Sequence, residues 1–202
     1  SIVDAVSPAA VAAGNVETSQ RIADVLCGAL ASFAPDRMPA AGQGTMNNVL
    51  IGNESFAYYE TVAGGQGARP GRDGQSGIQT GMTNTKNTPI TSLSAHYPFV
   101  VTRYRLRIDS GGLGTYRGGD GIERGIRFLE AATLSLMGER RATRPWGLAG
   151  GEPGQPGEDW LLHPNGERER LDAKCTVEVD RGDELLVLTP GGGGWGHPSE
   201  SE

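Results

Sequence analysis

The stretch from Gly42 to Pro89 constrains this chain more than any other. Gly42, Gly44, Gly52, Gly64, Gly65, Gly67, Gly71, Gly74, Gly77 and Gly81 are interleaved there with Asn47, Asn48, Asn53, Asn84 and Asn87, and no helical period runs through them. Glycine admits positive φ and lets a second backbone or a ligand come close. Asn and Thr side chains bond the backbone that results. Such a loop is either a specific site or a rigid structural knot, and composition leaves both open. Glycine is abundant overall, at 32 of 202 residues, roughly twice the ~7% of an average protein. No Gly-X-Y period accompanies it, which excludes a collagen-like chain.

Around this stretch the apolar pattern changes period. Ile22, Val25, Leu26, Ala29, Leu30 and Phe33 recur at helical spacing. The spacing predicts one long helix, capped by Asn15, with Glu17 in its first turn and Pro35 stopping it. Thr18, Gln20, Arg21 and Asp24 lie off the apolar stripe. They form either a solvated face or, at Thr18 to Gln20, a surface toward a ligand or a further part of the polypeptide. Residues 48–51 and 55–62 read as short strands. From Phe99 the period is two, with Val100, Tyr104, Leu106 and Ile108 alternating with Val101, Arg103, Arg105 and Arg107. Ile122, Arg124, Ile126 and Phe128 alternate again, and short β runs follow at 133–137, 160–163, 168–171, 176–179 and 184–189. Residues 164–167 and 181–183 are turns between them. The expected fold is α+β and mostly β: one long N-terminal helix, a Gly-rich loop region, then antiparallel hairpins forming a sandwich or barrel-like sheet. Residues 1–196 are expected to form a single domain, with a disordered tail at 197–202.

Several motifs, in one order, resemble the hydantoinase B family. They are AAGNVETSQRI at 12–22, QGTMNN at 43–48, YYET at 58–61, GGQGARPGRDG at 64–74, MTNTKNTP at 82–89, DSGGLGTYRGGDGIER at 109–124, RPWGLAGGEPG at 144–154 and TPGGGGWG at 189–196. That family holds the B-type subunits or halves of N-methylhydantoinases and 5-oxoprolinases, and the related acetone carboxylase subunits. Its members are usually much longer, so the resemblance implies a C-terminal portion of such a protein. It implies an ATP-dependent hydrolase of cyclic amides, such as hydantoins or 5-oxoproline, working with an A-type subunit or half that handles ATP and Mg. A part of an ATP-dependent acetone carboxylase-like enzyme and a non-catalytic segment that docks the A-type partner are the alternatives. Metal ligands of relatives would fall in the N-terminal part, so none is assigned here. A homo-oligomer of the heteromer, in the cytoplasm, is expected. The chain departs from the family where relatives commonly carry His before MTNT and Glu soon after NTP. It has Gln79 and Gly81, then Thr91 and Ser94.

Candidate site residues cluster in the glycine region. Phe56, Tyr58 and Glu60 share one strand face. Glu60 is either a proton-transferring carboxylate with a raised pKa or the partner of a nearby Arg. Arg69, Arg72 and Asp73 form either internal ion pairs or an anion-binding loop. Thr83 to Thr88 present neutral donors and acceptors that suit an amide ring or, equally, their own backbone. On the cyclic-amide reading, Asn47, Asn48, Asn84 and Asn87 bind the ring's polar edge, and Glu60 or Asp73 shuttles a proton. Arg103, Arg105 and Arg107 are either paired to carboxylates on a neighbouring strand or exposed as an anion site or subunit contact.

Other classes are disfavoured. A formal charge of −6 and a pI near 5.1 argue against generic nucleic-acid or anionic-membrane binding. No run approaches the ~20 apolar residues of a membrane span. Cys27 and Cys175, far apart and without CxxC, read as reduced and buried, as in a cytosolic protein. His96, His163 and His197 show no metal spacing. Gly112-Leu-Gly114 has the wrong spacing to Gly118 for a dinucleotide loop, and no P-loop occurs.

Overall fold

The computed structural model describes residues 6–8 and 17–198. In chain order its strands are β1 (Asn48–Gly52), β2 (Ala57–Thr61), β3 (Phe99–Arg107), β4 (Gly121–Phe128), β5 (Ala132–Met137), β6 (Glu158–Leu162), β7 (Arg168–Leu171), β8 (Lys174–Val179) and β9 (Glu184–Leu188). They form two antiparallel sheets, ordered β2-β1-β5-β8 and β3-β4-β9-β6-β7. Neither closes into a barrel.

Period-two patterning explains the core. In β5, Ala132, Leu134 and Leu136 are buried while Thr133, Ser135 and Met137 are half-buried. Ile122, Ile126 and Phe128 of β4 and Leu185 and Val187 of β9 do the same from the other sheet. With Val49, Ile51, Leu161 and Leu171 they make one apolar cluster shared by both sheets. The turn at 164–167 joins β6 to β7, with Gly166 at φ +90°. The turn at 181–183 makes no hairpin. β8 pairs with β5 and β9 with β4 and β6, so this turn carries the chain from one sheet to the other.

Helix α1 spans Ser19–Ala31, shorter than the pattern predicts, and follows Thr18 as N-cap; Asn15 lies outside the described residues. Its orientation reverses the expectation. The apolar stripe faces outward, with Val25 64% and Phe33 88% exposed, while Gln20 and Asp24 are buried. The neighbours supply the reason. Asp24 meets the Arg140 and Arg21 guanidinium groups, and the Gln20 side-chain oxygen accepts from Met82 N at 2.7 Å. The surface beneath α1 is polar, so polar side chains turn toward it. A second helix, α2 (Ile90–His96), was not anticipated; Leu93, fully buried, is its anchor.

The Gly42–Pro89 stretch is not one loop. It contains β1 and β2, and its remainder is tied by backbone bonds to distant segments: Gly65 N to Pro190 O (3.0 Å), Gly74 N to Arg117 O (2.8 Å) and Gly77 N to Asp120 O (2.9 Å). The tract Gly191–Gly194 runs through the same region. Its amides donate to Gln155, Gly119, Ala41 and Glu152 carbonyls, and its carbonyls accept from Gly112, Ala68 and Leu148. A methyl group on any of the four would overlap a carbonyl oxygen, those of Ser110, Gln66, Trp146 and Leu113 in turn. Close backbone approach is what these glycines permit. Of the expected tail, 199–202 lie outside the described residues, and His197 O accepts from Thr115 Oγ1 at 2.8 Å. No helix among the described residues is long and apolar enough to cross a membrane.

Candidate functional site

Glu60 faces inward because β2 alternates, and Arg124 does so because β4 alternates. The two strands belong to different sheets, and the side chains meet between them. Arg124 Nε donates to Glu60 Oε1 at 3.0 Å and Nη2 to Oε2 at 2.9 Å, with both side chains almost fully buried. Tyr58 donates its hydroxyl to Glu60 Oε2 at 3.0 Å, and Asn87 Nδ2 lies 3.4 Å from the same oxygen. The Tyr104 ring lies over Arg124, 4.8 Å from the guanidinium carbon to the ring centroid, and its hydroxyl donates to Asn87 Oδ1 at 3.0 Å. Burial, and after it the Glu60 carboxylate, pushes the Tyr58 hydroxyl pKa up; burial alone leads for Tyr104. Both phenols therefore act as neutral donors.

This network backs a groove of about 500 Å³ lined by Gln79, Lys86, Asn87, Ile90 and Tyr104. One orphaned side chain marks its wall: the Gln79 amide nitrogen and oxygen are buried without a partner among the described residues. Arg124 Nη1, in the network behind the groove, is also buried and unpartnered among them. Buried polar groups are normally paired. Gln79 was singled out in the sequence only as a departure from relatives; its unpaired amide gave no signal there. Arg124 was visible as a charge at an inward-facing strand position.

Asn47 and Asn48 belong to a second polar cluster. Asn47, at φ +46°, donates to Gln43 Oε1 (2.7 Å) and Val62 O (2.9 Å) and accepts from Arg141 Nη1 (2.6 Å). Asn tolerates this left-handed conformation better than most residues. Asn48 Nδ2 donates to Glu17 Oε1 and Met137 O, both at 2.9 Å, and its oxygen accepts from Tyr59. Burial raises the Glu17 pKa, although Met46 N and Thr45 Oγ1 donate to it. Arg141 is bidentate to Asp159 at 2.9 Å on both arms. Asp73 is exposed and accepts from Arg117 N at 2.8 Å. Asn84 is exposed. The six predicted residues thus fall in separate places: Glu60 and Asn87 together, Asn47 and Asn48 together, Asp73 and Asn84 apart.

Arg103, Arg105 and Arg107 pair with Glu184 of β9, Glu123 of β4 and Glu158 of β6, all in the same sheet, and only β4 is the adjacent strand. Cys27 and Cys175 are free thiols, half-buried rather than buried. Among the described residues no three His, Cys, Asp or Glu side chains gather as metal ligands. Neither helix start offers an anion site. Anions bind at the positive end of a helix, but the Glu17 carboxylate is buried just before α1 begins, and α2 has only seven residues.

The sequence profile of a family described as hydantoinase B/oxoprolinase matches residues 1–198. The chain belongs to this family. A 5-oxoprolinase of Dictyostelium discoideum is 40% identical over 97% of the chain and 15% of its own length. An uncharacterized protein of Methanocaldococcus jannaschii is 46% identical over 100% of the chain and 36% of its own length. The crystal structure of an ATP-dependent caprolactamase from Pseudomonas jessenii is similar with a TM-score of 0.71 at 26% identity, over 84% of this chain and 32% of that one. The chain therefore spans only 15–36% of the lengths of these relatives. The groove and both polar clusters lie inside the matched region.

Proposed function

We propose that this chain is the C-terminal portion of an ATP-dependent cyclic-amide hydrolase working with an A-type partner, and that the groove beside Tyr104 takes the amide ring. The observation carrying this reading is Gln79, whose amide nitrogen and oxygen are both buried and unpartnered at the groove. A small ring holds its amide cis, so N–H and C=O stand side by side. A primary carboxamide offers an acceptor and a donor in one plane, and the two groups pair through two hydrogen bonds. An orphaned buried amide costs about 1–3 kcal/mol, which a bound ring would offset after a small side-chain rotation.

Asn87 is the second amide on the groove. Glu60 already accepts from Arg124 through both oxygens and from Tyr58 and Asn87. On this reading it positions Asn87 and Arg124 rather than moving a proton. Asn47 and Asn48 tie the start of β1 to its surroundings, Asp73 ties its loop to the Arg117 backbone, and Asn84 is exposed. ATP and Mg fall to the partner, and the free thiols fit the cytoplasm.

The test is Gln79→Leu in the assembled full-length enzyme, assayed with ATP on 5-oxoproline, hydantoin and caprolactam. KM for the accepted ring should rise at least about tenfold while gel filtration shows assembly intact. An unchanged KM rejects the groove; loss of assembly favours the docking role instead. No ATP-dependent turnover of any ring by the wild type rejects the hydrolase reading itself.

A further inference from the structure

A second cavity, of about 610 Å³, lies between the polar face of α1 and residues 39–42, 66–72 and 80–81. Three arginines, Arg37, Arg69 and Arg72, line it. Arg69 and Arg72 bracket a tight turn. Their backbones exchange two hydrogen bonds of 3.0 Å, with Pro70 and Gly71, at φ +80°, between them. This is a type II turn, with Pro at its second position and a positive φ at its third. Residues paired in this way project side chains from the same side, and like charges directly opposed repel.

None of the three guanidinium groups has a carboxylate or carbonyl partner among the described residues. Arginines elsewhere, apart from Arg168 and Arg181, each hold a carboxylate, a carbonyl or an indole ring. The acids nearby do not restore the balance. Asp24 is engaged by Arg140 and Arg21, and Asp73 by Arg117 N. That leaves Asp36 alone against three arginines on the cavity wall. Thr80 Oγ1, also on the wall, is buried and unpartnered. The remaining wall includes Ala40, Ala41 and Trp146, which are apolar.

We infer that this cavity binds a small organic anion whose carboxylate or phosphate group sits between Arg69 and Arg72, with Arg37 adding charge and Thr80 a hydroxyl. A planar guanidinium pair suits both groups through paired N–H···O bonds. The apolar wall takes a short carbon skeleton. The inference uses none of the residues assigned to the amide ring, so either can fail alone.

Titration calorimetry on the full-length protein tests it, with inorganic phosphate in one arm and succinate in the other, each against sodium chloride at matched ionic strength. Saturable binding of phosphate, of succinate or of both is expected, and the stronger arm identifies the anion class. An Arg69→Gln/Arg72→Gln double variant should weaken it by at least about tenfold, while Arg168→Gln/Arg181→Gln should not. Without anion, the Arg69→Gln/Arg72→Gln protein should melt no lower than wild type, because only repulsion has been removed. No saturable binding in either arm overturns the proposal. So does wild-type affinity in the double variant, or a lower melting temperature that marks the arginines as structural.

Discussion

Helix α1 and strand β5 are both amphipathic, and they turn opposite faces to the molecule. β5 buries Leu134 and Leu136 in the core shared by the two sheets; α1 buries Gln20 and Asp24 and leaves Val25, Leu26 and Leu30 exposed. Periodicity states which residues share a face, and both patterns were right about that. It does not state which face meets the protein. That depends on the chemistry waiting on the other side: an apolar sheet for β5, the buried Arg140 guanidinium and backbone for α1.

The largest expected effect comes from attacking the polar side of this contrast. Asp24→Ala strands the buried Arg140 guanidinium, whose pKa burial already lowers, and should cost about 3–5 kcal/mol in urea denaturation. A loss under about 1 kcal/mol would mean that the ion pair does not orient the helix. Next is a matched pair of leucines. Leu134→Ala should cost about 3 kcal/mol, whereas Leu26→Ser should stay within about 0.5 kcal/mol in this chain. Equal losses would erase the comparison. The smallest effect concerns pH. The folded-state pKa of Glu17 lies above its ordinary 4.5, chiefly because of burial. The native state therefore holds this proton more tightly than the unfolded chain does. The resulting stability is fully present below 4.5 and is lost as pH rises through the raised value. Melting temperatures of wild type and Glu17→Gln, compared across that window, should converge on the acid side and diverge above it, with the variant lacking the wild-type decline.

Much of the sheet structure is legible in the sequence. β1, β2, β4, β5 and β9 follow from alternation because one face of each enters a common apolar cluster. The inward position of Arg124 was legible too, but its partner was not, since Glu60 sits 64 residues away on another sheet. The same holds for α1, whose orientation rests on Arg140, 116 residues from Asp24. Helix α2 was missed because Thr91, Ser92 and Ser94 are weak helix formers and a single buried residue, Leu93, holds it. The asparagines were read as one group because they share composition. Asn47 and Asn48 instead complete backbone and ion-pair geometry beside β1, while Asn87 joins Tyr104 and Glu60. The groove's main signal, an unpaired carboxamide at Gln79, is a property of surroundings that no spacing encodes.

The four glycines at 191–194 lie between Pro190 and Trp195, in a channel whose walls are main chain from several distant segments. A one-residue slip would drive the proline or the indole into a space that has no room for a methyl group. The two bulky neighbours therefore act as stops. They set the register of a tract that carries no side chain of its own to be recognised.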